Sequence, residues 1–556
     1  MEKTYTVGFS QEQVNYLGFK NLDLPILHEN DTEYHNYITS IFANNDIDVI
    51  VFDLNKNLIQ SLKLSLHIRL SLAELKEKTL IPIVFLTTQS LESIIKLSDI
   101  WYQIIATGSV YFTELKLVKH DVQHVEGLNE SSYKNSFLNK ITIRPDESIG
   151  KHSIANEWGA FSLDKAAHTE VLKSNENLKQ TFHKLYFKYI QALQFDLETL
   201  NKKSHIKGYI NVEKADLIES NGKKIVLIDD ESEKGWGLVL GKLFKNADFK
   251  VINEKIKSFE DFSDTSKKMI LEEEIDLFLI DLRLNGVDED DNLPIEKFSG
   301  YDVISKIKKQ NKGNQIIVFT ASNKVWNIKP LLDFGADAFY VKESPEYLFS
   351  KEISQNNYQS FKKNVAFSFN RSYLKAIYSR IDNLISNLAI KKTEQNGDFI
   401  EEILVLLNQA IEMHDYAKTE KQFAYAYVTL YMIIEIMNKE YAKENEEKNW
   451  CIDDEKIKKW RKIDHTIDFD DTDEKYRSEA NKILGIAIQK LEIEKTNEIL
   501  LTVNRCVTRR TIFIHPKATN KEGELMKADG KIYTKDGFIE LFNLIELLLT
   551  KIELSV

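Results

Sequence analysis

The chain has 556 residues, 43% of them hydrophobic, and a formal net charge of −12. That length predicts three or four domains with ordinary globular cores. The mild acidity argues against broad coating of nucleic acid but leaves room for one local basic site. Only Cys451 and Cys506 occur, which excludes a disulfide framework and fits a reducing compartment. Residues 1–8 lack an apolar signal region, and no uncharged apolar run approaches the roughly 20 residues of a membrane helix. The expectation is a soluble cytoplasmic protein with no membrane partner.

Residues 1–120 read as strands at 4–9, 24–28, 47–53, 82–87 and 109–113, alternating with helical segments, which predicts an α/β unit. Residues 121–220 predict a largely helical connector, with a long helical pattern through about 169–203. Within it, 150–159 stands out. His152 with Asn156 four residues later is weakly similar to the phosphorylatable box of histidine kinases. A buried Trp158 with flanking polar contacts explains the segment better.

Residues 221–350 carry the strongest signal. The apolar strand Lys224-Ile225-Val226-Leu227-Ile228 ends in the acidic pair Asp229-Asp230. A second strand, 275–280, ends in Asp281; a third, 315–319, in Thr320; a fourth, 338–341, in Lys342. In an open parallel sheet the strand carboxyl ends share one edge, where ligands bind. Carboxylates, a hydroxyl and an ammonium meeting there suit a hard divalent cation and a phosphoryl group. Chance alone rarely gives five such residues in order, at intervals of 51 (Asp230 to Asp281), 39 (to Thr320) and 22 (to Lys342).

The segment resembles the receiver domain of two-component response regulators. The resemblance implies a flavodoxin-like, doubly wound parallel sheet with Asp281 as phosphoacceptor. It implies a Mg²⁺ site from Asp229, Asp230, Asp281 and the backbone carbonyl of Arg283. Lys342 and Thr320 would hold phosphoryl oxygens, and Tyr340 takes the family's aromatic switch position. The implied partner is a sensor histidine kinase or phosphotransfer protein. An acid-rich insertion, 286–298, precedes Ser299-Gly300 and should lie beside the site or form a solvated loop.

Residues 47–54 repeat the pattern of 275–282, and 82–87 that of 315–320. The first unit therefore reads as a second receiver-type sheet. It is degenerate: Phe9 and Ser10 replace the acidic pair and Thr113-Glu114 the lysine, so Asp53 cannot assemble a cation site alone.

Residues 351–556 turn to helical periodicity, at 371–390, 399–413, 421–443, 474–512 and 535–553, with a charged excursion at 439–475. No DNA-binding helix-turn-helix with a basic recognition helix is evident. Arg510, four residues, His515 and then Pro516 resembles the R-x-x-x-x-H signature of HEPN domains, all-α modules that often act as metal-independent ribonucleases. The resemblance implies an HEPN-like bundle, pairing into a homodimer, and RNA as substrate. His515 would be the general base, Arg510 the group stabilising the pentavalent phosphorus, and Glu435 an orienting carboxylate. Thr511 departs from the polar residue usual after the arginine. The reading is a response regulator controlling RNA cleavage in stress or phage defence. The alternatives are a phospho-dependent scaffold with an inert helical domain, or a phosphate sink for a kinase.

Overall fold

The computed structural model describes residues 3–28, 30–97, 100–145, 151–194, 214–285, 288, 294–320, 332, 335–345, 349–394, 396–447, 450–454, 459–463, 474–515 and 534–552. The chain forms two compact units, Met1–Gln310 with Gln315–Asn370, and Asn311–Asn314 with Arg371–Val556.

The first unit holds two five-stranded parallel sheets. One is built from Thr4–Val7, Lys20–Leu22, Val49–Asp53, Ile83–Leu86 and Val110–Thr113, laid out in the order second, first, third, fourth, fifth. The other, from Lys224–Ile228, Asp248–Ile252, Leu277–Asp281, Ile316–Thr320 and Ala338–Val341, has the same order. Four of its strands read as apolar runs because helices cover both faces; the edge strand Asp248–Ile252 does not, and only its Ile252 is buried. Ile225, Leu227, Leu279, Ile317 and Phe319 join the core on one face, and Val226, Ile228, Ile280, Ile316 and Val318 that on the other. The alternation follows from the two-residue repeat of a strand.

The second strand of the first sheet is Lys20–Leu22, not 24–28 as the apolar run suggests. Tyr5 pairs with Lys20 and Val7 with Leu22. Pro25 has no amide to donate to a ladder, and Ile26 is exposed rather than buried. Leu24 and Leu27 pack on the domain core from an extended segment.

Between the sheets run the helices Lys151–Ala166, Glu176–His183 and Leu185–Gln194. The single long helix expected over 169–203 is two short ones, and residues 195–203 lie outside the described part. Asn175 caps the first, accepting from the amides of Asn177 and Leu178, which fixes its start. Helix Lys351–Arg371 lies on the second sheet, with Tyr358, Phe361 and Val365 in the core shared by Phe319 and Tyr340.

The second unit packs Leu374–Ile390, Gly397–Tyr416, Glu420–Tyr441, Glu474–Gly485, Asn497–Ile514 and Lys535–Lys551 around one apolar core. It is not purely helical. The charged excursion contains a three-stranded antiparallel sheet, Ala442–Glu444, Trp450–Asp454 and Lys459–Lys462. Its apolar residues, such as Ile452, are buried on the helical core. The helix expected over 474–512 is also broken. A π-turn at Ile486–Lys490 ends it, Glu492 takes a positive φ, and Thr496 caps a new helix. Among the described residues no helix is long and apolar enough to cross a membrane.

Candidate functional site

At the carboxyl edge of the second sheet Asp229, Asp230, Asp281 and Lys342 meet. Strand register sets Ile280 beside Ile228 and Asp281 beside Phe319, so Asp229, Asp281 and Thr320 emerge at one level. Carboxylate oxygens of Asp229, Asp230 and Asp281 all lie within 4.8 Å of one another. Lys342 follows the edge strand, its amide donating to the Thr320 carbonyl at 2.7 Å. Its Nζ donates to Asp229 Oδ2 at 2.9 Å and Asp281 Oδ2 at 2.6 Å. The Arg283 amide donates to Asp281 Oδ1 at 3.3 Å. Gly300 is required by close approach: a Cβ there would sit 2.3 Å from the Asp281 carbonyl oxygen.

The electrostatics are lopsided. Burial pushes the Asp281 and Asp229 carboxyls up, although Lys342 pulls both back. Burial lowers Lys342, but Asp229 and Asp281 more than offset that, and its pKa ends raised. Burial, with Asp281 and Asp229 close by, pushes Asp230 up to about 7. Asp230 Oδ1 is buried with no hydrogen-bond partner. Three crowded carboxylates, one with an orphaned oxygen, against one ammonium form a donor set that fits a hard divalent cation.

The remaining residues fall as follows. Thr320 is buried at its strand end, and residues 321–331 beyond it lie outside the described part. Tyr340 points inward, 5.0 Å from the Phe319 ring and 5.1 Å from Phe361. Within the insertion Asp288 is buried rather than solvated. It accepts from Ser299 Oγ at 2.5 Å and from the Ser299 amide, at the start of helix Ser299–Gln310. Residues 289–293 lie outside the described part.

Sequence reasoning missed Glu231 and Trp236, and read Asn156 only beside His152 and not at this site. The Asn156 side chain reaches Lys342, Trp236 and Glu231, which are 186, 80 and 75 positions away. No local pattern encodes such contacts. The segment's buried tryptophan is as read: Trp158 is 1% exposed and stacks on Phe187. The side chain of His152 lies outside the described part.

The equivalent edge of the first sheet is chemically different. Asp53 is buried but accepts from Gln13 Nε2 at 3.1 Å and from the Asn55 amide at 3.0 Å. Ser10 caps helix Gln11–Leu17 and Phe9 is part of the core. Thr113 Oγ1 donates to Asp121 at 2.6 Å where a lysine would be needed.

In the helical unit, Arg510 donates from Nε and Nη2 to Glu435 Oε1, at 3.1 and 2.5 Å. Its guanidinium lies 5.8 Å from the Tyr431 ring centroid. His515 caps the end of helix Asn497–Ile514 and is exposed, whereas Thr511 is buried. Residues 516–533 lie outside the described part.

Comparison with known proteins places the first domain. Residues 1–113 match the family model of the inactive receiver domain. The cyclic di-GMP phosphodiesterase of Thermotoga maritima is 26% identical over 176 residues, 32% of this chain and 41% of that protein. The chain thus spans about two fifths of that relative's length. A solved two-component system response regulator/GGDEF domain protein aligns over 66% of this chain and 99% of its own, at 11% identity and a TM-score of 0.18. Residues 1–113 are a receiver-type domain matching the inactive class, in keeping with an Asp53 held by a glutamine instead of a cation-binding acidic pair.

Proposed function

We propose that the chain is a response regulator. Residues 1–120 form a pseudo-receiver, 121–220 a connector, 221–370 the working receiver with helix Lys351–Arg371 packed on its sheet, and 371–556 the effector. Asp281 accepts a phosphoryl group from a sensor histidine kinase or phosphotransfer protein. The observation that carries this reading is the convergence of Asp229, Asp230 and Asp281 within 4.8 Å, with Lys342 bridging two of them. Held by these carboxylates and the Arg283 carbonyl, Mg²⁺ would supply neutralisation of the crowded phosphoryl oxygens. Asp281 is the nucleophile. Lys342 acts as a compact positive charge for a phosphoryl oxygen, and the Thr320 hydroxyl takes another. Incubation with Mg²⁺ and an acyl phosphate, followed by peptide mapping, tests this: the phosphoryl group is expected on Asp281.

For the output we propose metal-independent RNA cleavage by a paired HEPN-like domain, with His515 as base and Arg510 stabilising the phosphorane. Its support is the bond from Arg510 to Glu435 on a neighbouring helix, which holds the guanidinium still, with an exposed imidazole at the same helix's end. A second reading, a phospho-dependent scaffold, is favoured by the buried Thr511, which offers no polar group at the surface.

A further inference from the structure

Lys342 is buried, and an ammonium has three N–H donors. Asp229 Oδ2, Asp281 Oδ2 and Asn156 Oδ1 accept at 2.9, 2.6 and 2.5 Å. Three acceptors match three donors, so a phosphoryl oxygen can bind Lys342 only by displacing one of them. Asp229 and Asp281 hold the ammonium charge to charge, whereas Asn156 offers it only an amide dipole. The neutral amide of Asn156 is therefore the ligand to leave.

Asn156 belongs to helix Lys151–Ala166, outside the sheet that carries the site. Its orientation is fixed from both ends. Oδ1 also accepts from Trp236 Nε1 at 3.2 Å, and Nδ2 donates to Glu231 Oε2 at 2.8 Å. The helix can come this close because of Gly159: a Cβ there would lie 2.9 Å from Trp236 Cζ2 and 3.4 Å from the Glu343 backbone. With the helix docked, Asp229, Asp281 and Lys342 have 0, 1 and 0% of their surface exposed. The same helix reaches towards the first domain. Trp158 stacks on Phe187 at 5.6 Å, and Lys184 pairs with Glu157 at 3.3 Å. Phe187 lies on helix Leu185–Gln194, whose Lys188 bonds His67 and Ser71 of the first domain.

We propose that Asn156 is a positioning residue that occupies the phosphoryl site of Lys342 in cis, so that phosphorylation of Asp281 undocks helix Lys151–Ala166 and passes the signal to the inactive receiver. The inference rests on Asp281 being the acceptor. In the step, an Asp281 carboxylate oxygen attacks the phosphorus of an acyl phosphate. The new P–O bond forms as the bond to the acyl oxygen breaks, and the carboxylate leaves with that electron pair. No redox partner is needed. Asn156 then loses its place on Lys342, one of three bonds by which its side chain ties the helix to the second sheet's domain, leaving those to Trp236 and Glu231.

The test uses the full chain, Mg²⁺ and acetyl phosphate, with Asn156→Ala and Gly159→Leu variants. Gly159→Leu pushes the helix away without altering a polar group at the site. Labelling of Asp281 is expected to be about 5–150-fold faster in both variants, the usual range of such couplings. In the wild type, labelling is expected to speed amide exchange across 151–166, and Asp281→Asn to abolish that change. Equal or slower labelling in Asn156→Ala, or unchanged protection of 151–166 in labelled wild type, overturns the inference and leaves the acceptor standing. No label on Asp281 in the wild type or in either variant, all folded by circular dichroism, overturns the acceptor reading itself.

Discussion

Gln13 donates from Nε2 to Asp53 Oδ2 at 3.1 Å, on the strand of the first sheet that corresponds to the Asp281 strand of the second. Lys56 Nζ holds the same glutamine through Oε1 at 3.2 Å. One carboxylate satisfied by neutral donors has no need of a cation. Three carboxylates crowded round one lysine carry excess negative charge that a cation would offset. The two domains share a sheet order and differ in what stands at its edge.

This contrast sets the labelling pattern. With Mg²⁺ and an acyl phosphate, Asp53→Asn is expected to leave phosphoryl incorporation unchanged, and Asp281→Asn to remove it. Label that survives Asp281→Asn and vanishes in Asp53→Asn would reverse the assignment of working and inactive domains.

Asp230 gives a thermodynamic handle. Its carboxyl is pushed up to about 7, first by burial and then by Asp281 and Asp229. Without a cation, ionised Asp230 therefore opposes folding. Asp230→Asn is expected to raise the melting temperature in EDTA. The wild type should gain stability with Mg²⁺, by about 2.7 kcal/mol at a hundredfold excess over Kd. The variant should gain far less. Scanning calorimetry with and without Mg²⁺ measures both. Equal Mg²⁺ responses would remove Asp230 from the cation site.

Most strands of the parallel sheets were legible because they are apolar runs, several stopping on chemically marked residues, as at Asp229, Asp281 and Lys342; the edge strand Asp248–Ile252, which carries Asp248 and Lys250, was not. Such runs report backbone layout directly. The short strand Lys20–Leu22 was not, since only one of its three residues is apolar and its role comes from pairing with Tyr5–Val7. The antiparallel strands within the C-terminal charged stretch were hidden by the charged residues that surround the short apolar run Trp450-Cys451-Ile452. Of the candidate site, the residues on the sheet edge could be read. Asn156 could not, because its place on Lys342 depends on how a distant helix docks. Nor could the buried cluster of His35, His67 and His183, which are far apart in sequence and meet only through helix packing.

That cluster predicts a pH response. His35 and His183 stack with ring centroids 3.8 Å apart, and His67 Nε2 bonds Asp31 Oδ1 at 3.1 Å. Burial lowers His67 and His183 to about 4 and His35 to about 2. Lys188 and Lys179 add to the lowering at His183, Glu176 opposes it there, and Asp31 opposes it at His67. Unfolded histidines take a proton near 6.5, so between about 6.5 and 4 the unfolded chain binds more protons. Stability is then full above 6.5 and is lost as pH falls towards 4. His35→Phe keeps a stacked ring and removes one titrating group. It is expected to flatten the fall in melting temperature between pH 7 and 5. An unchanged slope would exclude the cluster as its cause.

For the helical unit, His515→Ala is expected to lower RNA cleavage by roughly 10²–10⁴-fold with little change in melting temperature, since the side chain is exposed. Glu435→Gln weakens the bond that steadies Arg510 and should reduce cleavage less. Products are expected to end in 2′,3′-cyclic phosphate, and EDTA should not prevent cleavage in an assay without phosphorylation. Products with 5′-phosphate ends, or full activity in His515→Ala, favour the scaffold reading.

Coupling between acceptor and output must run through an element with two arrangements, because charge added at one pocket acts only locally. A phosphoryl group brings about two negative charges while the Asp281 carboxylate loses its one, so the pocket beside Asp229, Asp230, Thr320 and Lys342 gains about one. Thr320 borders the pocket, and its strand neighbour Phe319 packs on Tyr340 and on Phe361 of helix Lys351–Arg371. A shift of Thr320 towards a phosphoryl oxygen therefore bears on the aromatic contact that holds this helix to the sheet. Beryllofluoride bound at Asp281 is expected to change self-association or RNA cleavage by about 5–150-fold. Thr320→Ala should blunt that change while Asp281 still accepts phosphoryl groups. Phe361→Ala, which removes a ring buried against Tyr340, should cost about 3–5 kcal/mol of stability and uncouple the two responses. If self-association, RNA cleavage and partner binding are the same with and without beryllofluoride, the second sheet drains phosphoryl groups from a kinase and does not switch this chain.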